Sequence, residues 1–209
     1  VRFLDKHDNV FSDEDTARSL EIPLENLITV KQVHGPKTVR VESPTRNVFD
    51  ADGMVTNQKK IALAVRSADC QTFVLYDPDH DAIGALHVGW RGLLAGAIEE
   101  HVQTFVREWG SDPGALVVGA APSLCQMSAD FTNPREELPG IDEKFFSKNC
   151  VDLLGIADEK LQKIGIKSEH VERMQGCTRC SPGQWWSYRG PDREEVRKGA
   201  RNVLSIELF

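Results

Sequence analysis

The chain has 209 residues, of which 40% are hydrophobic and 27% are charged. This composition excludes a disordered chain, and the length predicts a single domain, residues 1–209. The formal net charge of −7 argues against a nucleic-acid partner, because proteins that bind phosphate backbones usually present a basic face. We therefore expect a small-molecule substrate.

The sequence gives no sign of a membrane partner. No apolar run reaches the roughly 18 residues that span a bilayer, and the first residues lack the layout of a signal peptide, so we expect a cytoplasmic protein. Five cysteines are an odd number and do not form a disulfide framework. A reducing compartment, with thiols free for chemistry or for metal binding, is the simpler interpretation.

The first half of the chain is rich in strand signals. Residues 12–20 predict a short helix, and after a turn around Pro23 residues 27–33 predict an apolar strand. Three further apolar runs predict strands, at 61–65, 72–76 and 82–87. The segment 77–81 is dense in turn-forming residues and predicts a hairpin between the last two strands.

The second half mixes helices and strands. Apolar residues spaced along 94–109 predict a helix buried on one face and ended by Gly110. The remaining predicted elements are a strand at 115–121, a surface loop at 134–139, a helix at 143–163 with a break at Gly155, a helix at 193–200 and a strand at 203–208. Because these elements do not alternate strictly, we predict an α+β (mixed α/β) fold with a mixed β-sheet flanked by helices.

Three reactive side chains lie at the ends of predicted strands: His34, Cys70 and His87. Two imidazoles and one thiolate form a zinc ligand set that leaves a fourth position open for water or substrate, as in catalytic zinc sites. Their spacing is not a local ligand motif, so Cys70 and His87 also fit a metal-free site. In that site the thiolate is the nucleophile and the imidazole its base.

Arg91 stands between two glycines where a predicted strand passes into a predicted helix. Backbone N–H groups at a helix start attract anions, and a guanidinium matches phosphate or carboxylate, so this turn is a candidate anion site. A tight turn whose arginine caps a carbonyl is the structural alternative.

The other cysteines give weaker signals. Cys177 and Cys180 form a lone C-x-x-C, whereas a zinc site of this type usually has a second pair, so a structural role is the simpler interpretation. Cys125 and Cys150 are expected to be packing residues, because free cysteine is often buried.

Four strings in order resemble the YfiH-type family, also called the multicopper polyphenol oxidase or laccase domain family and associated with purine nucleoside phosphorylase activity. They are Lys-Gln-Val-His-Gly at 31–35, Asp-Ala-Asp-Gly-Met-Val-Thr at 50–56, Ala-Asp-Cys at 68–70 and His-Val-Gly-Trp-Arg-Gly at 87–92. Weaker matches at 161–166, 177–178 and 186–189 extend the resemblance from about residue 30 to the end of the chain.

The resemblance implies a metal site and a reaction. The implied metal-binding and catalytic residues are His34, Cys70 and His87, with zinc as the metal and copper as the alternative. Asp69 is a further catalytic candidate, as a proton carrier or as a residue that orients an imidazole, or else it caps a turn. The candidate substrate or phosphate contacts are Arg66, Arg91 and Arg189. The implied reaction is phosphorolysis of adenosine, inosine or a related nucleoside, with adenosine deamination as a companion activity.

Other functions stay open at this point. A copper-dependent polyphenol oxidase follows from the family label, although six histidines are too few for a four-copper oxidase. A metal-free cysteine hydrolase would use Cys70 and His87. A binding module without turnover is the fourth hypothesis, because residues 122–130 depart from the family pattern. The sequence does not predict the oligomeric state.

Overall fold

Two mixed β-sheets pack face to face, and helices cover their outer faces. The structure is a computed structural model and describes residues 1–45 and 49–209. Its strands are β1 (Arg2–Leu4), β2 (Leu27–Ile28), β3 (Thr38–Arg40), β4 (Gly53–Thr56), β5 (Ala62–Ser67), β6 (Gln71–Asp77), β7 (Ala82–Val88), β8 (Val117–Ala120), β9 (Phe146–Ser147), β10 (Cys150–Val151), β11 (Val171–Arg173) and β12 (Asn202–Glu207). Its α-helices are α1 (Asp13–Leu20), α2 (Trp90–Leu94), α3 (Ala97–Trp109), α4 (Pro134–Glu137), α5 (Leu153–Lys163) and α6 (Arg193–Lys198).

The sheets combine parallel and antiparallel pairs. The smaller sheet has the strand order β1-β12-β5-β2, and the larger has the order β11-β8-β6-β7-β4-β3. Strands β6 and β7 form the antiparallel hairpin that residues 77–81 predict. Strands β2 and β5, β3 and β4, and β8 and β11 pair in parallel. The expectation of an α+β fold with mixed sheets flanked by helices is therefore confirmed.

The alternation of side chains along the strands separates three apolar layers. Val74 of β6 belongs to the cluster between the two sheets, whereas Phe73 and Leu75 belong to the cluster under α3 and α5. On the outer face of the smaller sheet, Leu20 of α1 packs against Ala64 of β5. The central strands are buried on both faces, which is why they read as continuous apolar runs.

The predicted strand at 27–33 stops at Ile28. Beyond it the backbone N–H groups of Val33, His34 and Gly35 donate to the side chain of Asp52 at 3.1, 3.0 and 2.8 Å, so they are not available to a sheet. This segment is a loop because a buried carboxylate, remote in sequence, takes up its donors.

The predicted helix at 94–109 is divided. Gly96 adopts a left-handed conformation with φ of 84°, which ends α2 and precedes α3. A side chain at this position would be strained, and glycine avoids that cost. Gly110 ends α3 as expected, with φ of 73° and its N–H bonded to Val106 O.

The region after residue 130 differs most from expectation. The predicted loop at 134–139 contains the short helix α4, which Pro134 begins. Only the second half of the predicted helix at 143–163 is helical, because Asp152 caps α5 by accepting a hydrogen bond from Gly155 N at 2.9 Å. Gly155 therefore lies in the first turn of α5. No helix among the described residues is long and apolar enough to cross a membrane.

Candidate metal centre and active site

Three chain segments bring His34, Cys70 and His87 together. His34 lies in the loop after β2, Cys70 in the turn between β5 and β6, and His87 near the end of β7. One ligand atom of each lies within 4.8 Å of the others, and the two imidazole centroids are 4.9 Å apart at an angle of 87°. His34 is exposed and His87 is buried, so the group opens toward solvent on one side. This arrangement fits a three-ligand metal site with an accessible fourth position.

Asp52 holds His34 in place. Its side chain is fully buried and accepts hydrogen bonds from three consecutive N–H groups, those of residues 33–35. His34 has φ of 60°, a left-handed conformation that is uncommon for a side-chain-bearing residue. The three hydrogen bonds supply the free energy that keeps this conformation populated.

Asp52 also orients His87. The Nδ1–H of His87 donates to Oδ1 of Asp52 at 2.8 Å, because an ionised carboxylate can only accept. The Nε2 atom is therefore the one available to a metal, the usual arrangement in which a carboxylate fixes the tautomer of a ligating histidine. Burial lowers the pKa of His87, but the hydrogen bonds with Asp52 and Cys70 outweigh it and raise that pKa to about 9, so a metal at Nε2 would replace a proton held there.

The Cys70 thiol favours its ionised form. Burial raises its pKa, but the hydrogen bonds from His34 and His87 outweigh burial and lower the pKa to about 6. The pKa of Asp52 is likewise below its usual range, because the bonds from His87 and the loop amides outweigh its burial. The site can therefore present a thiolate, which is the form of cysteine that binds metal.

Gly89 lets the backbone pass close to this group. A Cβ at residue 89 would lie 2.6 Å from Cδ2 of His34 and 3.4 Å from Sγ of Cys70. Any larger residue would displace the His34 ring, so glycine is needed here for close approach.

Asp69 precedes Cys70, and its carboxylate bonds to residues of the C-terminal part of the chain. Its carboxylate accepts from Thr178 Oγ1 at 2.8 Å, Ser187 Oγ at 2.6 Å and Arg189 N at 2.8 Å. Asp69 thus ties the Cys70 turn to the C-terminal part of the chain. The residue that orients an imidazole is Asp52.

A cavity of about 770 Å³ adjoins the three ligands. Among residues 1–45 and 49–209, six arginines line it: Arg66, Arg91, Arg179, Arg189, Arg193 and Arg201. The acidic residues of its wall are Asp69 and Asp130. The cavity is thus basic inside a chain of net charge −7, which suits an anionic ligand.

The arginines predicted from sequence have different surroundings. The Arg91 guanidinium lies 4.1 Å from the centroid of the Trp90 ring and, within residues 1–45 and 49–209, forms no ion pair with a carboxylate. Arg66 donates to Thr16 Oγ1 at 3.2 Å and lies 3.8 Å from Asp13. Arg189 donates to the carbonyl oxygen of Ser128 at 3.3 Å. Of these three guanidinium groups, that of Arg91 is therefore the most available to bind a ligand.

Several residues of the cavity wall are not predicted from the sequence. Gln32 forms two hydrogen bonds with the backbone of Arg66, at 2.7 and 2.9 Å, and so joins the His34 loop to β5. Both Gln32 and Asp52 fall inside strings that resemble the family, and that is the signal that marks them. Three further arginines of the cavity wall lie outside these strings, and only the folded structure places them there: Arg179, Arg193 and Arg201.

Residues 2–204 match the family model described as multi-copper polyphenol oxidoreductase laccase. The chain belongs to this family. Among relatives of this laccase-type chain, the purine nucleoside phosphorylase ORF3 of Streptomyces griseus is 29% identical over 185 residues, covering 84% of this chain and 74% of that protein. The purine nucleoside phosphorylase of Aquifex aeolicus is 30% identical over 173 residues, 78% of this chain and 76% of that one. Human purine nucleoside phosphorylase LACC1 is 31% identical over 149 residues, which is 66% of this chain but 34% of the human protein.

Solved structures share the laccase-type fold. The hypothetical protein YfiH of Bacillus licheniformis superposes with a TM-score of 0.81 at 20% identity, covering 94% of this chain and 79% of that one. YlmD of Geobacillus stearothermophilus gives a TM-score of 0.79 at 22% identity, covering 94% and 78%. The family resemblance of the four strings is thereby confirmed.

Proposed function

We propose that this chain is a metal-dependent purine nucleoside phosphorylase, with adenosine and inosine as substrates and inorganic phosphate as the attacking group. The observation that carries the proposal is the basic cavity that opens onto His34, Cys70 and His87. Relatives named purine nucleoside phosphorylase at 29 to 31% identity support the same reaction class.

The donor set suits zinc. A thiolate and two imidazoles within 4.8 Å of one another are the ligand types that zinc prefers, and the carboxylate of Asp52 behind His87 is the expected outer partner. When bound, zinc would supply Lewis-acid catalysis. The chain itself holds His87 in one tautomer, holds His34 in a strained loop and keeps Cys70 ionised.

The cavity has features for both parts of the substrate pair. Arg91 offers a guanidinium free of carboxylates, and such groups bind phosphate through two parallel hydrogen bonds. Apolar lining comes from Trp90 and Leu124, and Phe131 packs edge-to-face on Trp90 at 5.7 Å between centroids. A cavity of about 770 Å³ accommodates a nucleoside together with phosphate.

In the proposed reaction a phosphate oxygen forms a bond to C1′ of the ribose while the bond from C1′ to the base nitrogen breaks. The bonding electron pair leaves with the base, which takes up the proton that the attacking hydrogen phosphate gives up, and the products are ribose 1-phosphate and the free purine. Arg91 positions the phosphate and offsets its charge, with Arg66 and Arg189 as the other candidate contacts. Asp69 positions the Cys70 turn and the Arg189 backbone.

The test is release of ribose 1-phosphate from adenosine and inosine by the zinc-loaded chain, followed by phosphorus NMR. We expect product only when phosphate is present, and we expect Arg91→Ala to raise the KM for phosphate at least tenfold. Arg107→Ala is the matched control, because Arg107 lies on α3 outside the cavity and pairs with Glu100. Base release without phosphate, or equal effects of the two variants, would contradict the proposal. Inosine formed from adenosine without base release would reveal the companion deamination.

A copper-dependent polyphenol oxidase is the second candidate, and the description of the family model favours it. The same three ligands would hold a single copper ion, since thiolate and imidazole both bind copper. Oxidation of a phenolic dye in proportion to copper content, lost in Cys70→Ala, would support this function. Full turnover of an ester or amide substrate after exhaustive chelation would instead support the cysteine hydrolase that uses Cys70 and His87.

A further inference from the structure

Three of the remaining cysteines converge at a second place. Cys125 lies in the loop after β8, and Cys177 and Cys180 lie in the turn after β11. Their sulfur atoms all lie within 4.8 Å of one another, and Sγ of Cys125 is 4.0 Å from Sγ of Cys180. The fourth thiol outside the active site, that of Cys150, bonds to Met127 O at 3.7 Å instead. The lone C-x-x-C thus gains its third sulfur from a residue more than fifty positions away.

Ser128 completes a four-cornered arrangement. Its Oγ lies 3.5 Å from Sγ of Cys125, 3.4 Å from Sγ of Cys177 and 3.4 Å from Sγ of Cys180. A tetrahedral zinc ion with bonds of about 2.3 Å to sulfur and about 2.0 Å to oxygen separates two sulfurs by about 3.8 Å and a sulfur from an oxygen by about 3.5 Å. The three sulfur–oxygen separations and the 4.0 Å between the Cys125 and Cys180 sulfurs are close to these edges, and the Cys177 sulfur lies within 4.8 Å of both, so small side-chain adjustments would seat a metal ion.

Backbone hydrogen bonds hold the thiols in this position. The N–H of Cys125 donates to Sγ of Cys177 at 3.3 Å, a bond that favours a thiolate acceptor. Thr178 N donates to Ser123 O at 3.1 Å, which fixes the first cysteine of the pair against the Cys125 loop. Ser128 N donates to Cys125 O at 3.0 Å, which fixes the hydroxyl. The loop after β8 and the turn after β11 are therefore held together around one small volume.

The surroundings suit the charge of such a centre. Three thiolates and one divalent ion carry a net charge of −1. The guanidinium groups of Arg179 and Arg189 lie 3.4 and 3.3 Å from the carbonyl oxygen of Ser128, and both also pair with Asp130, at 2.7 and 3.3 Å. The two cations and one carboxylate together leave one positive charge beside the cluster. Its attraction offsets the excess negative charge.

We propose that Cys125, Cys177 and Cys180 bind a second metal ion, zinc, with Ser128 at the fourth corner. This centre is distinct from the His34, Cys70 and His87 group. It fastens the Arg179 and Arg189 wall of the cavity to the loop after β8, and thus serves as a positioning site. Thiolate ligands select zinc or copper(I) among cellular metals.

The first test is zinc content. The reduced full chain is loaded with excess zinc, dialysed against metal-free buffer and assayed for zinc by mass spectrometry. We expect about two zinc ions per chain in the unmodified protein and about one in Cys180→Ser, whose thiol is exposed and contributes little to packing. Cys150→Ser is the matched control and keeps about two. Equal zinc in Cys180→Ser and Cys150→Ser would overturn the proposal.

The second test isolates the proposed centre. The double variant His34→Ala/Cys70→Ala lacks the first ligand group and is loaded with cobalt(II), whose thiolate charge-transfer absorption reports bound sulfur. We expect one cobalt per chain with this absorption, and its loss when either Cys125→Ser or Cys177→Ser is added. Circular dichroism of each variant checks that it is folded.

A double variant that stays folded, titrates with its three thiols reduced and binds no cobalt would refute the second site. Neither test uses a nucleoside, so their outcome is independent of the proposed phosphorylase activity.

Discussion

Asp52 and His87 share a hydrogen bond of 2.8 Å deep in the larger sheet, and the same carboxylate binds the loop that carries His34. One buried acid therefore sets the geometry of two of the proposed metal ligands. We expect Asp52→Asn to weaken zinc affinity about 10- to 100-fold, because an amide neither fixes the imidazole tautomer as firmly nor carries the charge that strengthens the ligand. Competition with a chelating dye measures this affinity.

Asp50→Asn is the control for that variant. Asp50 stands two residues away, is exposed and pairs with Lys31 at 3.2 Å. Its substitution is expected to leave zinc affinity unchanged. Equal weakening by the two substitutions would show that Asp52 acts only through general charge.

The burial of His101 predicts that the free energy of unfolding decreases at acidic pH. This residue is fully buried on the inner side of α3, and burial lowers its pKa from 6.5 to about 3. Below pH 6.5 the unfolded chain binds a proton at this residue that the folded chain cannot, so stability falls as pH falls. The loss approaches about 1.4 kcal/mol per pH unit and amounts to about 2 kcal/mol between pH 7 and pH 5.

Urea unfolding at pH 7 and pH 5 checks this expectation. His101→Asn is expected to lose less stability on acidification by about 2 kcal/mol, whatever its stability at pH 7. His7→Asn, at an exposed position, is expected to keep the full dependence. An unmodified chain and a His101→Asn chain with the same pH dependence would contradict the assignment.

The close packing around Gly84 predicts that a larger residue at this position destabilises the fold. A Cβ at this position of β7 would lie 2.5 Å from Nε2 of His101 and 2.9 Å from Cε2 of Phe105. Gly84→Ala should therefore lower the free energy of unfolding by about 1–3 kcal/mol, the usual cost of overpacking a core. Gly183→Ala is the control, because a Cβ there meets no atom within 4 Å. Urea midpoints that differ by less than the experimental error would refute the close contact.

Cys70 should be protected by metal. Its thiol lines the cavity and is accessible from it, but a ligated sulfur is a poor nucleophile. We expect iodoacetamide to label Cys70 readily after chelation and at least tenfold more slowly after zinc loading, as followed by peptide mass spectrometry. Labelling of Cys150 is the internal reference and should not respond to zinc. Unchanged labelling of Cys70 would argue against zinc at this site.

The main strands, and the three residues proposed as metal ligands, could be picked out from the sequence because their signals are local. Apolar alternation marks β5, β6 and β7, and His34, Cys70 and His87 follow from strand ends and short strings. The helix predicted at 12–20 is α1, which begins one residue later, at Asp13, because Ser12 caps its first turn.

Other features depend on residues that are distant in sequence. The loop at 33–35 reads as strand until the carboxylate of Asp52 is placed beside it. Cys125 reads as packing until the turn at Cys177 folds onto it. The spacing of apolar residues does not predict such contacts, since they arise from the pairing of whole strands. The division at Gly96 is a third kind of miss, because glycine inside a helical pattern is often tolerated.

The three hydrogen-bond donors to Asp69 come from residues 178, 187 and 189, more than a hundred positions later in the chain. During synthesis His34, Cys70 and His87 therefore emerge long before the residues that bind Asp69. Four of the cavity arginines also lie in this later part of the chain. A truncated or nascent chain that ends before residue 178 would contain His34, Cys70 and His87 but would lack four of the arginines that line the cavity. The basic wall and the trio therefore come from separate parts of the chain, so binding of the proposed anionic ligand would depend on residues 179–201, whereas the candidate metal group needs only residues 34–87.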